Sequence, residues 1–439
     1  MPNVVEVVVN DQYENYPYPE RNPENEKNQL LFTIVDDLEI VNSIGLKGKA
    51  DFDNFQVLVA GGGTGDGLIY LAEQLRNFPN SKIVYCDLSA ASMKIAQERA
   101  VVRKLDNITW LNKSIFELEE YTERFDYINC SGVLHHLENP NSGLDYLKKL
   151  LKSDGVLGVM LYAKVGRTAV YQIQELMKMI ASDETDLKRK ISLVKDTVDN
   201  RPQTNWWNHS QSFLFDYDNG GEAGVVDLFL HSQDRAYTVG ELFDFVEASD
   251  LHFIDFVMPQ RYELMPEAYS FRGDLLKRIK GKEKKKQQAI IELYSGKITK
   301  HIFYVSKGKE AKANLKDLDN IPFYHKVEFD RNQLADQIEI NKYKNVALNL
   351  DGKYKVTFAV GEYSCEIIRN IDGKKTLDEI YSQVKSKFGN GVNVSDLEND
   401  FEALYNAMNK FDAMLLRHRK CHKLPALSEL QPVVDKMYS

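Results

Sequence analysis

The sequence predicts an α/β protein: one mostly parallel, seven-stranded sheet with helical insertions, followed by a small α+β module. Three observations predict it. Short apolar runs bounded by turns alternate with helically spaced segments from Phe55 to Ala163. A glycine-rich turn closes the first run. A second, shorter set of strand and helix patterns begins near residue 331. Parallel strands need crossovers, and helical crossovers cover both faces, so such strands read as continuous apolar runs.

The elements follow in order. Tyr13–Glu26 (YENYPYPERNPENE) is polar and turn-rich, with X-Pro steps at Pro17, Pro19 and Pro23. These steps favour extended backbone, so residues 1–50 are expected to form an arm or lid lying across a surface. FQVLVAG from Phe55 is the first buried strand, and GLIYLAEQL the helix after it. Lys82–Leu88 is the second strand and SAASMKIAQERAVVRKL its helix; NITWLNK and Arg124–Gly132 are the third and fourth strands. GLDYLKKLLKSDG is a helix leading to the fifth strand, GVLGVMLYAK. Residues 51–165 thus make a binding core. Residues 166–236 read as a helical insertion, with an i, i+3, i+4 apolar stripe in YQIQELMKMI; it is expected to shape an acceptor site or a dimer contact. Residues 237–308 return to the sheet with a capped helix, a strand, a basic helical stretch and a closing strand, Lys300–Gly308. The last two strands suit antiparallel pairing. Residues 309–330 read as a linker. Residues 331–439 read as a winged-helix-like domain: strand KYKVTFAVG, helices SCEIIRNIDG, TLDEIYSQVKSKFG and VSDLENDFEALYNAMNKF, and strand AMLLRHR.

Composition narrows the function. With 439 residues, 43% of them hydrophobic and 28% charged, the chain is neither mostly disordered nor collagen-like. The formal net charge of −9 repels a phosphate backbone, so no nucleic-acid partner is expected. The basic run Lys277–Lys286 is read as a solvated helix face. Cys86, Cys130, Cys365 and Cys421 are far apart. This argues against a disulfide framework and a thiolate metal site; a reducing cytoplasm fits and no metal is expected. Gly155–Ala163, the longest apolar stretch, is well short of the ~20 residues a spanning helix needs, so no membrane insertion is expected.

The strongest local signal is Val57–Gly67, VLVAGGGTGDG. Gly61, Gly63 and Gly65 follow a buried strand and precede a helix, where bare backbone lets a ligand approach the helix N-terminus. Asp87 ends the second strand, where a carboxylate can accept ribose hydroxyls. Strand, turn, helix and acid together predict an adenosyl-ligand site. A dinucleotide would need a second mononucleotide half, and the long insertion after the fifth strand disfavours a nicotinamide dehydrogenase.

Four segments, VLVAGGGTG, VYCDLS, NCSGVLHHLENP and SDGVLGVMLYA, resemble the class I S-adenosylmethionine-dependent methyltransferases. The resemblance covers about Asn54–Ala163 and Tyr237–Ser306 and implies a Rossmann-like methyltransferase sheet with S-adenosyl-L-methionine as cofactor. One departure matters. Val59 stands where that superfamily often has an acid, so the methionine amino group must be held by backbone or another side chain. YENYPYPERNP, GVLHHLENP with YAKVGRTAVYQIQEL, DLFLHSQDRAYTVGELFDF and ELYSGKITKHIFYV resemble a narrower bacterial group. It includes the rickettsial protein-lysine methyltransferases, which modify outer-membrane protein lysines and carry a winged-helix-like C-terminal domain. This chain is shorter than their best-known members.

The resemblance implies roles for particular residues. Gly61, Gly63 and Gly65 admit the cofactor, Asp87 with Leu88 holds its ribose, and Ser114 and Ile115 flank adenine. Ser131 and Val133 border the methyl group together with His135 and His136, one of which takes a proton from the attacking amine or else packs the following helix. Tyr13, Tyr16 and Tyr18 form a lid or a packed arm, with Tyr16 on the cofactor and Tyr18 near the chemistry. His231, Asp234, Arg235 and Tyr237 grip substrate, or form a network that anchors the insertion; Trp207 lines a substrate groove or packs in the core. The expected activity is methyl transfer to lysines of a protein substrate by a cytoplasmic enzyme, with a homodimer possible. A methyltransferase of a small metabolite or lipid-derived molecule, and a non-catalytic regulator that senses the cofactor, are the alternatives.

Overall fold

The computed structural model describes residues 4–214, 216–265, 271–350, 354–389, 391–426 and 429–430. The far ends of the expected arm (1–3) and C-terminal module (431–439) lie outside the described residues.

Eight strands build the main sheet: β1 (Gln56–Ala60), β2 (Lys82–Asp87), β3 (Ile108–Asn112), β4 (Phe125–Ser131), β5 (Leu151–Ala163), β6 (Ala236–Tyr237), β7 (His252–Phe256) and β8 (Lys300–Ser306). Their order is β3-β2-β1-β4-β5-β8-β7, with β6 beside the end of β5. The first five pair in parallel, and β8 runs antiparallel to both β5 and β7. Seven strands match the expectation. The eighth, β6, spans two residues, too few to show a period.

The apolar runs are continuous because both faces are covered. Leu58 and Ala60 of β1 pack with Leu134, Leu144 and Leu147 on one face, while Val57 and Val59 pack with Leu68, Leu71 and Ala72 on the other. This is the period-two alternation of a strand buried on both sides. The chain leaves β1 towards β2 and β3, then crosses to β4 on the other side of β1. The strand order therefore reverses between β1 and β4, and the crevice beyond their C-terminal ends is where such sheets bind ligands.

The arm departs from its expected form. Val4–Asn15 is a helix, not extended chain. It stops before Tyr16-Pro17, as a residue preceding proline disfavours helical backbone. Residues 30–45 do not lie on a surface either. Leu30, Leu38, Ile40 and Val41 are fully buried, the last three against the Val57 face of the sheet.

The insertion has a core of its own. Helices Thr168–Ile180, Leu187–Asp199 and Gly221–Phe229 enclose Val170, Ile173, Val194, Trp207 and Phe229. The stretch read as a linker, 309–330, carries β9 (Asn320–Tyr324), which pairs antiparallel with β12 (Met414–His418). β9 was missed because Pro322 demotes a strand pattern. A helix at Arg331–Asn341, capped by Asp330, precedes the hairpin of β10 (Asn345–Leu350) and β11 (Tyr354–Ala359). The three expected helices follow at Ser364–Asn370, Leu377–Phe388 and Val394–Asn409. This module docks on the arm. Leu416 N–H donates to Ser43 Oγ (3.0 Å), and His418 N–H to the Gly48 carbonyl (2.7 Å). Among the described residues, no helix is long and apolar enough to cross a membrane.

Candidate active site

A cavity of about 490 Å³ opens at the C-terminal ends of β1, β2, β4 and β5. Gly61 and Gly63 lie on its wall with φ of 70° and 50°. A Cβ on Gly61 would stand 2.3 Å from Val133 Cγ2, and one on Gly63 2.9 Å from the Tyr18 carbonyl oxygen. Gly65 (φ 96°) does not line the cavity; it heads the helix Asp66–Gln74 and brings it against Ala96. Asp87 is fixed by two backbone donors, Gly63 N–H (2.7 Å) and Ser89 N–H (2.8 Å). Burial raises its pKa, and these two bonds oppose the rise. Leu88, Ser114, Ile115, Ser131 and Val133 line the same cavity.

The N-terminal helix covers the site. Its Glu6, Val9, Asn10 and Tyr13 face the cavity. Ser114 Oγ donates to Glu6 (2.8 Å), and Ser89 Oγ to the Tyr13 carbonyl (3.2 Å). The Glu14 carboxylate caps the N-terminus of the helix Ala90–Arg103 through the Ala90 and Ala91 N–H groups. The arm then passes over the glycine turn. Thr64 Oγ1 donates to the Pro19 carbonyl (2.7 Å), and Arg21 grips Asp66 with two bonds (2.9 and 2.6 Å). Arg99 links Asp66 to Glu26 (2.7 and 2.8 Å), and Arg103 adds a second ion pair to Glu26. Tyr18 lines the cavity, but Tyr16 does not. Tyr16 packs on the core of the insertion, while Tyr13, in the last turn of the helix, takes the inward position.

At the other end of the cavity, four elements bring together a cluster of polar side chains. His136 follows β4 and lines the wall. Its Nδ1 lies 2.7 Å from the Gln233 carbonyl, which can only accept, so Nδ1 carries a proton and the lone pair of the neutral ring is the one on Nε2. His136 stacks on His231 (3.7 Å between centroids). His231 Nδ1 accepts from Gln233 N–H (3.1 Å), so the neutral ring carries its proton on Nε2, which lies 3.2 Å from the Tyr13 hydroxyl. Tyr13 donates in turn to Asp227 Oδ1 (3.0 Å), and Tyr162 donates to Oδ2 (2.9 Å). Burial raises the Asp227 pKa and, with the nearby His136, holds His231 well below the usual imidazole range.

The remaining expected residues fall elsewhere. His135 is completely buried, with its ring between His136 (4.2 Å) and Tyr162 (4.1 Å), and is not on the cavity wall. Burial pushes its pKa well down; of the two histidines, His136 is the one on the cavity wall. Trp207 is core, edge-on to Tyr217 and Phe229, and does not line this cavity. Asp234, Arg235 and Tyr237 line a second, open cavity of about 610 Å³ with Tyr171, Lys164 and Glu241. The two cavities share no lining residue, and the expected substrate cluster is split: Asp234, Arg235 and Tyr237 line the second, while His231 lines neither and backs the first through Tyr13 and His136.

Sequence reasoning missed Asp227, Tyr162, Glu6 and Asp36. The signal for Asp227 was an acid inside an apolar helical run, GVVDLFL; for Asp36 it was FTIVDDLEI. Asp36 is 1% exposed and lies on the cavity wall. It accepts from Thr33 Oγ1 (2.7 Å), Asn129 Nδ2 (2.6 Å) and the Tyr127 hydroxyl (3.0 Å), and burial pushes its pKa up to about 6.

Residues 58–157 match the family profile of a methyltransferase domain. The chain carries a class I methyltransferase fold. PKMT2 from Rickettsia typhi has a similar structure (TM-score 0.59, 16% identity), the match covering 88% of this chain and 76% of that one. An uncharacterized protein of Synechococcus is 28% identical over 269 residues, 61% of this chain and 63% of its own length. The tRNA 5-carboxymethoxyuridine methyltransferase of Escherichia coli is 31% identical over 109 residues, 24% of this chain and 40% of its own length. The chain thus spans less than two thirds of the curated relatives it matches. S-adenosylmethionine is the cofactor of this methyltransferase domain. The cradle fits it: two glycines whose Cβ atoms would fill the turn, and a fixed carboxylate across from them.

Proposed function

We propose that the protein is an S-adenosylmethionine-dependent methyltransferase acting on lysine ε-amines of a protein substrate. The observation that carries this reading is the acid–aromatic end of the cavity, where Asp227 sits between the Tyr13 and Tyr162 hydroxyls beside His136. A buried carboxylate framed by aromatic rings suits an ammonium group. The sequence resemblance to rickettsial protein-lysine methyltransferases and the fold shared with PKMT2 support the same acceptor.

In this reading Gly61 and Gly63 admit the cofactor, Asp87 accepts its ribose hydroxyls, and Leu88, Ser114 and Ile115 enclose its base. When bound, S-adenosylmethionine supplies a methyl group made electrophilic by a sulfonium. Asp227 orients the acceptor ammonium. His136 Nε2 takes its proton, the Gln233 carbonyl holding the ring in the required tautomer. Tyr18 and the N-terminal helix exclude water and align the partners, which provides most of the rate for so reactive a leaving group. Asp234, Arg235 and Tyr237 bind more distant parts of the substrate from the second cavity.

A second reading, a small-molecule acceptor, draws on the helix that roofs the cavity through Glu6 and Tyr13. The test incubates the protein and methyl-labelled cofactor with lysine-bearing bacterial surface proteins, in native form and with their lysines chemically blocked. Label in the native proteins alone is expected. Label that ignores the blocking, or enters only small amines and phenols, overturns the lysine assignment.

A further inference from the structure

Resting on S-adenosylmethionine as cofactor, we infer that Asp36, from the segment that precedes the sheet, binds the cofactor's α-ammonium group. The sheet order separates the ends of the cavity. Asp87 lies on the β2 side of β1, while Asn129 of β4, in register with Val59, lies on the other side. With the nucleoside held at Asp87, the amino-acid portion of the ligand has the β4 side left to it. Val59 offers no acceptor there. Asp36 reaches the same place from outside the β-α-β framework. Its carboxylate lies against Gly67 in the first turn of the helix after the glycine loop, so close that a Cβ at Gly67 would stand 2.6 Å from Oδ2.

The arrangement is specific for a cation. The hydrogen-bond partners of Asp36 are all neutral: Thr33, Asn129 and Tyr127. They orient both oxygens and bring no positive charge. An ionised carboxylate buried with neutral partners alone is costly, and a cationic ligand removes that cost. A carboxylate has about four acceptor positions, so room remains for an ammonium donor. Gly67, with no Cβ, lets the carboxylate sit against the helix while both residues stay on the cavity wall.

The surroundings also define a pH signature. Among the described residues, Asp37, Tyr70, Tyr127 and Tyr304 interact electrostatically with Asp36. Lys326 and His325 hold Asp37 well below the carboxylate range despite its burial, so it stays ionised. Burial keeps the three tyrosines well above theirs, and they stay neutral. Asp36 is the member of this set that titrates between pH 5 and 8.

The test compares two probes by calorimetry. S-adenosylhomocysteine carries the ammonium; 5′-methylthioadenosine keeps the nucleoside and thioether but has no amino-acid portion. Asp36→Asn is expected to weaken S-adenosylhomocysteine about ten- to a hundredfold, the range of a charge-assisted hydrogen bond, and to leave methylthioadenosine unchanged. Wild-type affinity for S-adenosylhomocysteine should fall as pH drops from 7.5 to 5, with a flatter profile for methylthioadenosine. If Asp36→Asn does not fold, the wild-type protein with deaminated S-adenosylhomocysteine reads the same contact, and an unchanged affinity overturns the inference. Equal weakening of both probes, or no weakening of either, also overturns it. Wild-type protein that binds neither probe at any pH contradicts the cofactor reading itself.

Discussion

A methyl group at Gly61 would meet the Val133 side chain at 2.3 Å, and its backbone φ of 70° belongs to the left-handed region. That conformation costs a non-glycine residue about 1–2 kcal/mol before any clash is counted. Gly61→Ala is therefore expected to weaken S-adenosylhomocysteine at least tenfold, measured by titration, with little change in circular dichroism. His136 and His135 should behave differently despite being neighbours. His136→Asn is expected to lower kcat while cofactor affinity holds, because only His136 lines the cavity. His135→Asn should act through stability, read as a lower Tm, since that ring is buried between His136 and Tyr162. At this scale the sequence was most legible where chemistry is local. The glycine turn and Asp87 are adjacent in space because a strand, a tight turn and the next parallel strand force them together. Asp36 and Asp227 were not legible, because segments distant in the chain carry them to the cavity.

The N-terminal arm is held as an element by one buried ion network. Glu26 is 4% exposed and bonds both Arg99 and Arg103, themselves buried on the helix Ala90–Arg103. Removing Glu26 leaves Arg99 with Asp66 and Arg103 with Glu73 but the buried network one negative charge short, a loss bounded by the cost of a broken buried pair, about 3–5 kcal/mol. Glu26→Ala is expected to lose stability within that bound in denaturant titration. Arg21→Ala, whose pair with Asp66 is partly exposed, should cost far less and appear mainly as faster cofactor release. The helix Val4–Asn15 escaped the sequence reading because VVEVVV is rich in β-branched residues, which favour strands. Its packing over the helix Ala90–Arg103 and the cavity outweighs that preference. The insertion helices were legible from their apolar stripe, whereas β6 and β9 were too short, or too interrupted by proline, to stand out.

Across the whole molecule, buried carboxyls set the response to pH. Burial pushes Asp36 up to about 6 and both Glu39 and Asp412 up to about 7. The folded state then holds more protons than the unfolded chain between roughly pH 4 and 7, so this stabilising contribution is complete below pH 4 and lost as pH rises to about 7. Asp37, Asp66 and Asp372 are shifted down, Asp372 to about 2, and their contribution is lost in acid. The Tm of the cofactor-free protein should therefore be higher near pH 6 than at pH 8, and Asp412→Asn should flatten that slope in a thermal scan. Glu39 lies where the arm meets the C-terminal chain near Leu424 and Arg417. That docking, with Leu415 and Leu424 joining the core of the sheet domain, was not legible in sequence. A mostly parallel sheet covered on both faces followed from the alternating patterns, but nothing local announces which surface a separate module will cover.

Calorimetric titration of wild-type protein and Asp87→Ala with S-adenosylhomocysteine and, separately, NAD distinguishes a methyltransferase cofactor site from a dinucleotide site. Binding of S-adenosylhomocysteine by the wild type, its loss in Asp87→Ala and no binding of NAD are predicted. Preference for NAD, or S-adenosylhomocysteine binding unchanged by the substitution, would contradict the reading of this cavity as a methyltransferase cofactor site.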